Sequence, residues 1–163
     1  KGVREYASAA IEVKRSYPLA RFRLVGFFDE GPDSISATEM DGWVSQGLEY
    51  LGPSDDVRPH LADARIYVLP SYREGTPRSV LEAMATGRAI LTSDAPGCRE
   101  TVQNGVNGFL VKPRQSSDLA EKMRWMIDNP EDCRRMSLES LRIVRDKYDA
   151  QKVSNSLMEH LGL

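Results

Sequence analysis

The sequence predicts an α/β fold, an open sheet of parallel strands flanked by helices, and three observations carry the prediction. Short apolar runs such as Ile66 to Leu69 and Ala89 to Thr92 have strand length without polar alternation, which suits strands covered on both faces. Such runs alternate with segments of helical apolar spacing, an order that favours parallel strands joined by right-handed crossovers. The 163 residues, 40% of them hydrophobic, suffice for one domain with its own core and not for two.

The elements follow in chain order. Val3, Tyr6, Ala7, Ala10, Ile11 and Val13 recur at near-helical spacing, and Pro18 pushes Tyr17 out of the helical region and ends that helix. Phe22 to Phe28 reads as a buried strand running into the breaker-rich loop Gly26 to Pro32. Leu48 to Leu51 is a second short strand, stopped at Gly52 and Pro53, after which Asp55 or Asp56 caps a helix through Ala64. Ile66 to Leu69 is the third strand, Pro77 to Thr86 a helix, and Ala89 to Thr92 the fourth strand. Cys98 to Gln103 reads as a short helix ended by Asn104 and Gly105, and Gly108 to Val111 as the last strand. From Ser117 the pattern is helical throughout, first on Leu119, Met123, Met126 and Ile127, then on Met136, Leu138, Leu141 and Val144, then on Val153, Leu157 and Leu161. The chain opens on Lys1 and Gly2 with no strand before the first helix, so residues 1–163 are expected to be a single domain cut from a longer protein and lacking its first strand.

Charge and motifs exclude several function classes. Lys and Arg number 22 against 24 Asp and Glu, and a net charge of -2 makes no field to gather nucleic acid, so no nucleic-acid partner is expected. The apolar runs fall well short of the ~20 residues of a membrane helix, and no signal segment opens the chain, so the expected location is cytoplasmic. Cys98 and Cys133 stand outside any CxxC, and His60 and His160 lack ligand neighbours, so no metal is expected. Gly26 and Gly31 have the spacing of a nucleotide loop, but Pro32 and Asp33 stand where Lys and Ser or Thr belong. A phosphoacceptor module is also excluded, because Leu69 is followed by Pro70, Ser71 and Tyr72 and not by Asp.

In open α/β sheets ligands bind beyond the carboxyl ends of the strands, which draws attention to the segment after Leu69. Thr76 suits an N-cap, Pro77 the first helical position, and Gly75 a close approach of backbone to ligand. The first-turn amides of Arg78, Ser79 and Val80 would then face outward with the positive end of the helix dipole, a setting suited to a phosphate. Glu82, one turn on, can accept two hydroxyl protons from a vicinal diol such as a ribose, and Glu74 stands before the turn. Taken singly, each acid is more often a solvated surface carboxylate, and Arg78 a surface arginine.

Together they resemble something more specific. Glu74 and Glu82, with seven residues between them in EGTPRSVLEAMATG, resemble the E-x7-E signature of family 4 retaining glycosyltransferases of the GT-B type, in their donor-binding C-terminal lobe. Gly87 to Val111, GRAILTSDAPGCRETVQNGVNGFLV, is similar to the segment that follows this motif in bacterial polysaccharide and lipid-linked oligosaccharide transferases. The resemblance implies a Rossmann-like lobe, the C-terminal half of a two-lobe enzyme that moves a hexosyl or N-acetylhexosaminyl group from a nucleoside-diphosphate sugar, UDP-sugar being the expected donor. It implies that Glu74 orients the donor sugar, that Glu82 binds ribose hydroxyls, and that Gly75, Thr76, Pro77, Arg78, Ser79 and Val80 hold sugar and diphosphate. Lys1 and Gly2 match the end of a phosphate-binding loop, and backbone atoms of Leu51, Gly52 and Pro53 would meet the base. No cofactor or metal is implied. The implied partners are the nucleotide sugar and the protein's own N-terminal acceptor lobe, with the full-length enzyme peripheral to the inner face of the membrane where its acceptor is lipid-linked. Residues 1–163 alone are then expected not to turn over. Two alternatives stay open: a lobe of a nucleotide-sugar epimerase of the same design, and a non-catalytic nucleotide-binding fragment.

Overall fold

The computed structural model describes residues 1 to 28, 31 and 34 to 148, so the helical pattern of Val153, Leu157 and Leu161, and His160, lie outside the described residues. Five strands and six helices follow one another as α1 (Val3–Ser16), β1 (Phe22–Leu24), α2 (Ala37–Val44), β2 (Leu48–Tyr50), α3 (Arg58–Ala62), β3 (Ile66–Leu69), α4 (Arg78–Ala85), β4 (Ala89–Ser93), β5 (Gly108–Val111), α5 (Ser116–Asp128) and α6 (Pro130–Lys147). A 3-10 turn, Arg99–Thr101, lies between β4 and β5.

Every strand pairing among the described residues is parallel, as the apolar runs predict. β1 pairs with β2, Phe22 opposite Leu48, and β4 lies between β3 and β5, with Ile66 opposite Ala89 and Ile90 opposite Gly108. All five residues of β4 are buried, as expected of a strand with neighbours on both edges and helices on both faces. One core joins α1, through Ala9, Ala10 and Val13, to α5, through Leu119, Met123 and Met126. A second core joins α4, β4 and α6 through Val80, Met84, Ile90 and Ile143.

The single open sheet expected from the sequence is here two hydrogen-bonded sheets, β1-β2 and β3-β4-β5. Between β1 and β3 lies a cavity of about 1580 Å³, lined by both strands, by the start of α1 and by Met123, Met126 and Ile127 of α5. The division is therefore between two edges that, among the described residues, each lack a partner on the side of the cavity.

Other differences have local causes. β1 stops at Leu24, four residues short of the expectation, because the chain turns into a loop whose Gly26 N–H donates to the Gly52 carbonyl (3.0 Å) while Phe28 rests edge-on against Tyr50. α2 falls where no element was expected; Ser36 caps it by accepting from the Glu39 N–H at 3.1 Å, and Met40 is its buried residue. α3 begins at Arg58, with Asp56 Oδ1 accepting the Arg58 N–H (3.0 Å), and it ends two residues before Ala64. The helix expected over Cys98 to Gln103 is a single 3-10 turn, since Val102 is extended and the Gln103 N–H is taken by the Asn107 side chain at 2.8 Å. No helix among the described residues is long and apolar enough to cross a membrane.

Candidate functional site

After β3, Pro70 and Ser71 are buried and the chain then runs over the surface into α4. Glu74 is anchored in this loop. Its Oε1 accepts from Lys1 Nζ (2.5 Å) and from Ser71 Oγ (2.7 Å), its N–H donates to the Pro96 carbonyl (3.0 Å), and its side chain is 12% exposed. Burial pushes the carboxyl pKa up, but the hydrogen bonds from Lys1 and Ser71, with the lysine charge, outweigh it and leave Glu74 below the ordinary glutamate range. Lys1 opens the chain two residues before α1, and Gly2 holds the corner between them: at φ 71, a Cβ there would stand 2.1 Å from the Pro70 carbonyl oxygen.

A second close approach holds the loop from the other side. Gly97, in the turn after β4, has φ 83, and a Cβ on it would lie 2.0 Å from the Gly75 oxygen and 2.2 Å from the Glu74 oxygen. Only glycine lets these two backbones meet. Gly75 itself faces open space, since a Cβ there would meet nothing within 4 Å; the protein does not need glycine there, and the room beside it is available to a ligand.

The start of α4 differs from the expectation in two ways. Pro77, not Thr76, occupies the N-cap position, with extended backbone at φ -70 and ψ 107, and no side chain caps the helix. The Val80 N–H donates to the Pro77 carbonyl at 3.0 Å and Val80 is fully buried, so Val80 is removed from the ligand-facing amides. Helix geometry leaves the amides of Arg78 and Ser79 directed out of the first turn. The Arg78 side chain is 92% exposed, with its guanidinium 4.0 Å from Glu82 Oε1.

Glu82 lines the large cavity together with Ser79 and Lys1, whereas Glu74, Thr76, Pro77 and Arg78 do not. Tyr67 of β3 connects the two acids. Burial raises its phenol pKa, the charges of Glu82 and Glu74 raise it further, and a hydrogen bond with the Ser79 side chain opposes them. The expected base loop, Leu51 to Pro53, is held against the end of β1 and the residues after it, with the Leu51 N–H donating to the Leu24 carbonyl (2.9 Å) and one lone pair of the Gly52 carbonyl engaged by Gly26.

Sequence reasoning did not foresee the bond of Ser71 to Glu74, nor the parts taken by Gly97 and Tyr67. Pro96-Gly97 directly after a strand was a readable turn signal, but its contact with Glu74 joins loops some twenty residues apart and has no local trace.

Comparisons with known proteins bear on the family and the fold. The family model described as glycosyl transferases group 1 matches residues 1–129. The chain is 40% identical over 129 residues to N,N'-diacetylbacillosaminyl-diphospho-undecaprenol alpha-1,3-N-acetylgalactosaminyltransferase of Campylobacter jejuni, a match covering 79% of this chain and 33% of that protein. It is 28% identical over 162 residues to the glycogen synthase of Mycobacterium tuberculosis, covering 96% of this chain and 38% of that one. Among solved structures, Anabaena HepE in complex with UDP and glucose superposes with a TM-score of 0.84 at 23% identity, over 99% of this chain and 45% of HepE. The C-terminal domain of a glycosyl transferase group 1 protein from Francisella tularensis superposes with a TM-score of 0.79 at 23% identity, over 92% of this chain and 80% of that domain. The chain thus spans about a third to two fifths of the length of these two curated relatives, its fold is that of a GT-B lobe, and by the match over residues 1–129 it belongs to the glycosyl transferases of group 1.

Proposed function

We propose that this chain is the donor-binding lobe of a retaining glycosyltransferase that moves a sugar from a nucleoside diphosphate to a saccharide or lipid-linked saccharide. One observation carries the reading: the Lys1 ammonium meets the Glu74 carboxylate at 2.5 Å, so a cation suited to phosphate and an acid suited to sugar hydroxyls stand together where the loop leading into α4 meets the start of α1. Relatives supply the substrate class. The Campylobacter protein is named as an N-acetylgalactosaminyltransferase acting on a diphospho-undecaprenol saccharide, and HepE was solved with UDP and glucose, which favours UDP over other nucleotides.

The chemistry is electrostatic. As the sugar becomes oxocarbenium-like, negative charge gathers on the departing diphosphate, and in this reading the Lys1 ammonium and the Arg78 and Ser79 amides receive it. These groups carry that charge in the reading without a bound metal. Glu74, ionised and held by Ser71, accepts from donor-sugar hydroxyls and fixes the anomeric carbon relative to the acceptor. Glu82 takes the ribose hydroxyls, and backbone at Leu51 to Pro53 the base. The leaving phosphate itself takes the acceptor proton, so no side chain here serves as general base.

The same reading assigns the acceptor to a second lobe outside residues 1–163, with the full-length protein working in the cytoplasm against the inner face of a membrane. The unpaired edges of β1 and β3 support a companion proposal, that a parallel strand ahead of Lys1 fills the cavity between them, with α1 as its right-handed crossover into β1.

Calorimetric titration with UDP and with 2′-deoxy-UDP tests the site. Glu82→Ala should weaken UDP about tenfold while scarcely altering the deoxy analogue. Equal effects on the two ligands, or none, would refute the ribose assignment.

A further inference from the structure

The structure holds an arrangement around Tyr72 that the donor reading does not use, and two unfavourable local features converge on it. Arg114, just past β5, has φ 62, the one positive φ at a non-glycine residue among those described. A side chain in that region is disfavoured, and glycine is the residue that fits it without strain. Its guanidinium carbon lies 4.7 Å from the centroid of the Tyr72 ring, within cation-π distance. Below, Tyr72 Oη donates to Glu5 Oε1 at 2.5 Å. The other oxygen of Glu5 is shielded from solvent and has no hydrogen-bond donor among the described residues. Such features persist where the surrounding structure over-determines them, and they gather at sites that have to be held in one geometry.

Tyr72 stands two residues before Glu74 on the same loop, and Glu5 stands one turn of α1 beyond Lys1. The loop is thus fastened twice to the start of α1, by Lys1 on Glu74 and by Glu5 on Tyr72. Arg114 covers the second fastening from a third segment of the chain.

We infer that Arg114, through Tyr72 and Glu5, is a positioning residue that sets the Glu74 loop for the donor sugar. This rests on the donor-binding reading and adds to it a sugar-specific role for the loop after β5. It follows that Arg114 should matter for the sugar half of the donor and not for the nucleotide half.

Arg114→Gly separates this role from a structural one, because glycine relieves the backbone at φ 62 and cannot fail by strain. The measurement is calorimetry of the wild type and of Arg114→Gly with UDP, UDP-glucose and UDP-N-acetylgalactosamine, with thermal melting and amide hydrogen exchange over Ser71 to Thr76 alongside. The expected result is a melting temperature equal to or above wild type, UDP affinity within about twofold, sugar-nucleotide affinity lowered about tenfold, and faster exchange in the loop. Arg114→Lys, which keeps a cation over the ring, should restore most of the loss. Sugar nucleotides bound as tightly as by the wild type, or UDP and sugar nucleotides weakened equally, would overturn the inference while leaving the donor site in place. Where sugar nucleotides bind too weakly to measure, unchanged exchange over Ser71 to Thr76 would overturn it as well. A wild-type protein that binds none of the three ligands would instead refute the donor-binding reading, and this inference with it.

Discussion

Glu74 carries its charge because two donors meet it in a partly buried place. Lys1 and Ser71 hold its folded pKa below the unfolded value, so the pairing adds stability above the unfolded pKa and loses it as pH falls through the folded pKa. Lys1→Ala should therefore move the Glu74 midpoint upward, and a carbon-detected NMR titration of the carboxyl would show it; an unmoved midpoint would mean that Ser71 and backbone set the charge. Gly97 is the residue on which the other side of the loop depends. Gly97→Ala should lower stability by about 1–3 kcal/mol in thermal melts and weaken sugar nucleotides further, since its methyl has no room beside the Gly75 and Glu74 carbonyls. The two acids enter the proposed site through the family motif that their spacing resembles, and Lys1 through the glycine beside it, and the structure adds the bond between Lys1 and Glu74. What Ser71 and Gly97 do was not legible in the sequence, because it depends on which loops the fold brings together.

At the level of elements, the apolar runs that predict β3, β4 and β5 do so because strands covered on both faces leave nothing to polar alternation. β4 is the extreme case, and Leu91→Ala there should cost about 2–5 kcal/mol by denaturant unfolding. A smaller value would mean that neighbours collapse into the space. α2 escaped the reading because a helix with one buried residue has little apolar periodicity to detect. Its signature was instead Ser36 followed three residues later by Glu39, and Ser36→Ala should cost about 1 kcal/mol if that cap holds the helix, as the same unfolding measurement would record. The start of α4 lay one residue off for a related reason. Proline supplies the extended geometry at the cap position itself, and the Thr76 hydroxyl is then not required.

Across the whole molecule, two cores and two parallel sheets flank a cavity lined by β1 and β3, which Lys1, Ser79 and Glu82 also line, while Glu74 stands in the loop between β3 and α4. The sequence could announce strands and their parallel sense, since those follow from burial and connection length. It could not announce the division of the sheet, because strand neighbours are chosen by packing across the molecule. The chemistry asks the same of the whole: Lys1 from the start of the chain, Glu74 from the loop after β3, Gly97 from the turn after β4 and the first turn of α4 must converge. A crystal structure with UDP bound tests that convergence most directly. The account predicts the diphosphate within hydrogen-bond distance of Lys1 Nζ and of the Arg78 and Ser79 amides, with the ribose hydroxyls on Glu82. A nucleotide seated elsewhere, leaving these groups untouched, would contradict it.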